Sequence, residues 1–186
     1  MSPQQLIIVL YSIVALALII SVVTDFRSRK IKNVVTFPTI AVALLLRMIF
    51  GGWGSIGGTG LLSGLVGMAA GGAIFWFIAR KGGMGLGDVK LMAAVGAGVG
   101  VPSIIYCFVG TGIVGGLHAI ILLLWRGEFL YALKGMGRKM VRKARSGPES
   151  IGYQSPKIPY GLAIALGSAW GIWWQINQQM SMASMS

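Results

Sequence analysis

The stretch LIIVLYSIVALALIISVVT, residues 6–24, runs for 19 residues without a charge and stops at Asp25-Phe26-Arg27. A helix needs about 20 apolar residues to cross the hydrocarbon core of a bilayer. No Lys or Arg precedes the run, and no small-residue cleavage site follows it. A removable signal peptide carries a basic flank at its start, so this run is expected to be a retained transmembrane helix. Further apolar runs lie at about 34–50, 61–79, 89–101, 103–125 and 160–176. The fourth is the shortest and is broken by Pro102. Arg47, near the end of the second run, is expected to snorkel to the nearby interface. The pattern predicts an all-α polytopic membrane protein with about six transmembrane helices, in one integral-membrane domain covering residues 1–186.

Composition supports the same class. Of 186 residues, 55% are hydrophobic and 11% charged, with mean hydropathy +0.79. Soluble domains carry about 25% charged residues, so a compact soluble enzyme is excluded. Disorder is excluded too, since disordered chains are poor in large apolar residues. The single cysteine, Cys107, rules out a disulfide scaffold and a four-cysteine zinc site. A net charge of +12 would ordinarily suggest nucleic acid. In so apolar a chain it points instead to cations facing the cytoplasm and its anionic lipids. Glycines inside the runs, such as Gly64, Gly67 and Gly71, suit close packing of membrane helices.

The basic residues orient these runs. Arg27, Arg29, Lys30 and Lys32 follow the first run, and Arg80, Lys81 and Lys90 lie between the third and fourth. Eight more fall in the loop at about 126–157. Together they make 15 of the 16 basic residues, all in alternate loops, and basic loops stay in the cytoplasm. Six crossings with both termini on the non-cytoplasmic side account for every cluster. Within the long loop, Phe129, Leu133, Met136, Met140 and Ala144 recur every three or four positions between cations. That spacing fits an amphipathic helix on the inner leaflet or an ordinary positive-inside loop. The tail Met180–Ser186 is expected to lack fixed structure.

Four acids are present, and Glu128 and Glu149 fall in the solvent-accessible loop. Asp25 closes the first run and Asp88 opens the fourth. Acids near the bilayer are costly and usually functional, although Asp88 alone would also suit a helix N-cap. The topology puts both at the cytoplasmic leaflet, 63 residues apart in sequence but at one depth. Two carboxylates in a partly dry site cannot both ionise easily, so they share a proton. The charged partner can take a proton from an attacking water while the neutral one polarises a peptide carbonyl. Before Asp88, the segment Gly82-Gly83-Met84-Gly85-Leu86-Gly87 holds too many glycines for a helix, each costing about 1 kcal/mol relative to Ala. An irregular backbone there would let an extended substrate approach closely.

Other peptidase chemistries lack their parts. His118 is the only histidine, so a two-histidine zinc site is absent, and no nucleophile motif joins it to Ser55 or Ser63. A packed His118 and a Cys107 acting as a small apolar residue are the expected roles.

Gly85-Leu86-Gly87-Asp88 resembles the Gly-x-Gly-Asp motif of intramembrane aspartyl proteases. With Val89-Lys90-Leu91 and the early Asp25-Phe26-Arg27-Ser28-Arg29-Lys30-Ile31-Lys32-Asn33, it is similar to the type IV prepilin peptidases. Their Ile-Pro-Asn element reads Ile31-Lys32-Asn33 here, with Lys in place of Pro. Ile158-Pro159-Tyr160-Gly161-Leu162-Ala163-Ile164-Ala165 resembles the family's Pro-Tyr-Gly-x-Ala-Ile-Ala element. With one cysteine and no long first loop, the chain looks like the short, peptidase-only form of Flp (tight-adherence) pilus systems, without the N-methyltransferase cysteine domain. The resemblance implies an aspartic-type endopeptidase of the bacterial inner membrane that removes the short basic leader of a prepilin at the cytoplasmic face. It implies Asp25 and Asp88 as the catalytic pair, with no metal or organic cofactor. Gly85, Gly87 and Lys90 are expected to position the substrate, and Lys90 or the Arg27–Lys32 cluster to attract an acid early in the mature pilin. Two readings compete: a small transporter using the acids as a proton relay, and an assembly subunit of a secretion machine in which they are structural. Prepilins and membrane lipids, not nucleic acid, are the expected partners.

Overall fold

The structure, a computed structural model, describes residues 2–28, 33–80, 84–125 and 160–183. The expected amphipathic segment at 129–144, the rest of the basic loop, Glu128 and Glu149 lie outside the described residues. Among the described residues six helices follow in order: α1 (Pro3–Ser28), α2 (Asn33–Gly51), α3 (Leu61–Arg80), α4 (Leu86–Val99), α5 (Ser103–Trp125) and α6 (Tyr160–Ala183). No strand occurs among the described residues, whose regular structure is all helix. Residues 3–27, 33–51 and 61–80, in α1, α2 and α3, are long and apolar enough to cross a membrane. Two compact units are present: Met1–Gly115 with Pro159–Ser186, which carries the site, and Gly116–Ile158.

Within the first unit the core forms around α4. Leu91, Met92, Val95 and Val99 of α4 pack with Val14 and Leu18 of α1, Phe75 of α3, Ile104 and Cys107 of α5, and Ile164 of α6. Leu6, Leu10, Ala43 and Ala97 form a second buried cluster. Outward faces carry large apolar side chains such as Ile8, Leu16, Ile19, Leu45 and Ile49, as a lipid-facing surface would. Buried α4 meets α3 almost backbone to backbone. A Cβ on Gly71 would stand 2.5 Å from the Met92 carbonyl oxygen, and one on Gly67 would land on that of Gly96. Larger side chains there would force the helices apart.

Arg47 does not snorkel. It is 3% exposed and donates from Nε to the Ala97 carbonyl (3.0 Å) and from Nη2 to that of Gly98 (2.7 Å). Its Nη1 donates to the carbonyls of Thr59 (3.0 Å) and Gly60 (3.4 Å), just before α3. The last carbonyls of a helix have no intrahelical partner, and those of α4 are shielded from water. A guanidinium with five donors in a planar fork satisfies them, and that is worth more than reaching the interface. Gly100 ends the helix at φ 69°, where a side chain would be strained and would meet Ser63 Oγ. Ser63 Oγ also accepts from the Val101 N–H at 3.1 Å.

Two further expectations change. The chain end is helical through Ala183, because no Gly or Pro follows Gly171 to stop α6. Of the glycine-rich stretch before Asp88, Gly85 is extended (φ −78°, ψ 150°), and Leu86-Gly87-Asp88 already form the first turn of α4. A first turn tolerates Gly87 because its N–H groups lack intrahelical acceptors in any case.

Candidate active site

Helical spacing aims both aspartates inward. Along α1 the buried positions are Leu6, Leu10, Val14, Ala17, Leu18 and Ser21, and a further step of four reaches Asp25. Along α4, Leu91, Met92, Val95 and Val99 extend backwards by three or four residues to Asp88. Each acid thus terminates an apolar stripe, where the core gives way to a more polar edge.

Asp88 is buried, with 9% of its surface exposed, and stands before the apolar run 89–101 and outside the three candidate spans. Its Oδ2 accepts from the Gly85 backbone N–H at 3.1 Å. That is the half of a capping box that a glycine N-cap can offer. Burial pushes the Asp88 carboxyl up to about 6, the Gly85 hydrogen bond pulls it back, and the charge of Asp25 pushes it up again. The charge of Asp25 is thus felt at Asp88 despite their separation in sequence. Asp25 is half-buried on the last turn of α1.

Lys90 sits one turn into α4. Its Nζ donates to Asn33 Oδ1 at 3.0 Å and lies 5.5 Å from the centroid of the Phe37 ring. These contacts hold the start of α2 against the start of α4, so Lys90 has structural partners as well as a place beside the acids. Gly85 is exposed and Gly87 half-buried. At the same end, the Arg80 guanidinium covers the Trp76 ring at 4.7 Å.

Cys107 is fully buried between α5 and α6, its Sγ 3.7 Å from the Ser168 carbonyl oxygen, in the small apolar role expected of it. His118 is half-buried on α5. Among the described residues no three His, Cys, Asp or Glu side chains group as metal ligands.

Two residues at or near this unit's working parts have roles that the sequence reading did not assign. Arg47 looked like an interruption of an apolar run, and nothing local marks it as a clamp. Gly161, buried in the first turn of α6, backs directly onto Asp25: a Cβ built on it would stand 2.8 Å from Asp25 Oδ2. The Pro159-Tyr160-Gly161 element was the available signal, but it did not say which acid Gly161 meets.

The family model for the type IV leader peptidase family matches residues 12–120, more than half of the chain. The match includes both aspartates and stops short of Gly161. No curated protein and no solved structure matches the chain.

Proposed function

The chain belongs to the type IV leader peptidase family, and from that premise we propose that it is an intramembrane aspartyl endopeptidase with Asp25 and Asp88 as its catalytic pair. The substrate class is the prepilin: a hydrophobic helix with a short basic leader at the inner leaflet, here of the Flp type. The observation that carries this reading is the convergence of Asp25 on a buried Asp88 whose carboxyl is lifted to about 6. Asp88, the more buried member, holds the shared proton and donates it as a hydrogen bond to the scissile carbonyl. Asp25 takes a proton from water as the water's oxygen attacks the carbonyl carbon. The proton then passes to the leaving nitrogen, the C–N bond breaks, and leader and mature pilin separate.

The site lies where α1 and α3 end and α2 and α4 begin. Arg27, Arg80 and Lys90 are at this end, and the positive-inside rule makes it the cytoplasmic face. In this reading all six helices belong to one peptidase domain of a bacterial inner membrane, with both termini outside. At 1.5 Å per residue α4 is about 21 Å long, shorter than a hydrocarbon core of about 30 Å. The dyad at its start therefore lies within reach of the rim of the membrane. Extended Gly85 offers backbone to the substrate, Gly87 keeps the first turn slim, and Lys90 meets an acid early in the mature pilin.

Co-expression with an Flp-like prepilin tests this. Wild type removes the leader, while Asp25→Asn and Asp88→Asn each insert normally and lower cleavage at least about a thousandfold, or about 4 kcal/mol of barrier. Cleavage by either variant at the wild-type rate would return the acids to a structural or proton-relay role.

A further inference from the structure

We infer that Gly161 is a positioning residue for Asp25: its missing side chain lets the first turn of α6 press against the Asp25 carboxyl and fix its direction. The inference rests on the peptidase reading for its catalytic consequence, but its geometry stands alone. A Cβ at 161 would lie 2.8 Å from Asp25 Oδ2, 3.4 Å from Cγ and 3.5 Å from Cβ. The first of these is closer than real Cβ atoms come to anything, so the carboxyl would have to turn away.

This glycine differs in what it faces from those that let two helix backbones meet. Gly67, Gly71, Gly96 and Gly171 oppose backbone of a neighbouring helix, and a methyl group there would separate the helices. Gly161 opposes the far end of a side chain that can rotate. Alanine at 161 is therefore compatible with the fold and incompatible with the present placement of Asp25. Since reacting groups must be held within a fraction of an ångström, a displacement of about 1 Å costs up to about a hundredfold in rate.

The experiment compares full-length wild type, Gly161→Ala and, as control, Gly72→Ala, whose Cβ would meet only the Ala93 methyl at an ordinary 3.5 Å. In detergent, with a purified prepilin, Gly161→Ala is expected to lose about ten- to hundredfold in kcat with KM within about twofold. Gly72→Ala should match wild type in both. A second arm needs no activity: carbodiimide coupling at Asp25, followed by peptide mass spectrometry, should change severalfold in rate in Gly161→Ala and stay constant in Gly72→Ala. If Gly161→Ala does not fold, adding Asp25→Ala should restore folding, because the obstacle is the carboxyl. Wild-type kcat in Gly161→Ala, an unchanged coupling rate at Asp25, or a double variant that still fails to fold would each overturn the inference. A wild type that cleaves no prepilin would sink the peptidase reading alone and leave the coupling arm to decide on Gly161.

Discussion

At one end of α4 the buried Arg47 donates to four backbone carbonyls; at the other, the buried Asp88 accepts one hydrogen bond among the described residues, from the Gly85 N–H. Both charges suit the helix dipole, a cation by its C-terminus and an acid in its first turn. They differ in how far their bonding capacity is used. A guanidinium that gives four of its five donors to carbonyls of α4 and of the turn before α3 has little left for chemistry, and it pins α2, α3 and α4 together. A carboxyl with one donor, a neighbouring carboxyl and little water is lifted towards neutrality and keeps lone pairs for a substrate. Near-saturation marks the structural charge; in the proposed peptidase reading, incomplete saturation marks the reactive one.

The contrast breaks first at Arg47. Arg47→Met keeps the stem and removes the donors, orphaning carbonyls at 97, 98, 59 and 60. A loss on the order of 3 kcal/mol is expected from buried groups left unpaired, measured by thermal unfolding in detergent. Retained stability would mean that water or a lipid headgroup substitutes for the guanidinium.

Asp88 should behave in the opposite way. Its folded carboxyl stands at about 6 against an ordinary 3.8, so the unfolded chain gives up this proton more readily. Ionisation therefore favours unfolding as pH rises through 6, and the cost vanishes below the unfolded value. Asp88→Asn keeps an oxygen for the Gly85 N–H and cannot ionise. It should stabilise the fold at pH 8 by at most about 3 kcal/mol, with the gain gone by about pH 4, even as it abolishes cleavage. A variant no more stable than wild type at pH 8 would show that Asp88 is not penalised by its burial.

The smallest effect is expected at Lys90, whose partners Asn33 and Phe37 are exposed. Lys90→Met should leave the unfolding temperature in place and raise KM for an acidic pilin about two- to fivefold, the scale of a rim charge. An equal change for a pilin lacking the early acid would assign Lys90 to the α2–α4 contact alone.

Apolar runs, their breaks and the alternation of basic loops depend on composition along one stretch of chain, so the all-helical membrane class was legible before any coordinates. So was each acid's place at the end of a run, because helical periodicity fixes which stripe residues 25 and 88 continue. Local composition misled where burial outweighed propensity: Gly87 is helical because it lies in a first turn, and Arg47 stays inside because α4 ends away from water. Which carboxyl meets which backbone, how a glycine beyond residue 158 comes to face an acid at 25, and how fully each buried charge is bonded depend on helices distant in the chain. No periodicity within a single helix encodes those distances; only the packing of α1, α4 and α6 sets them.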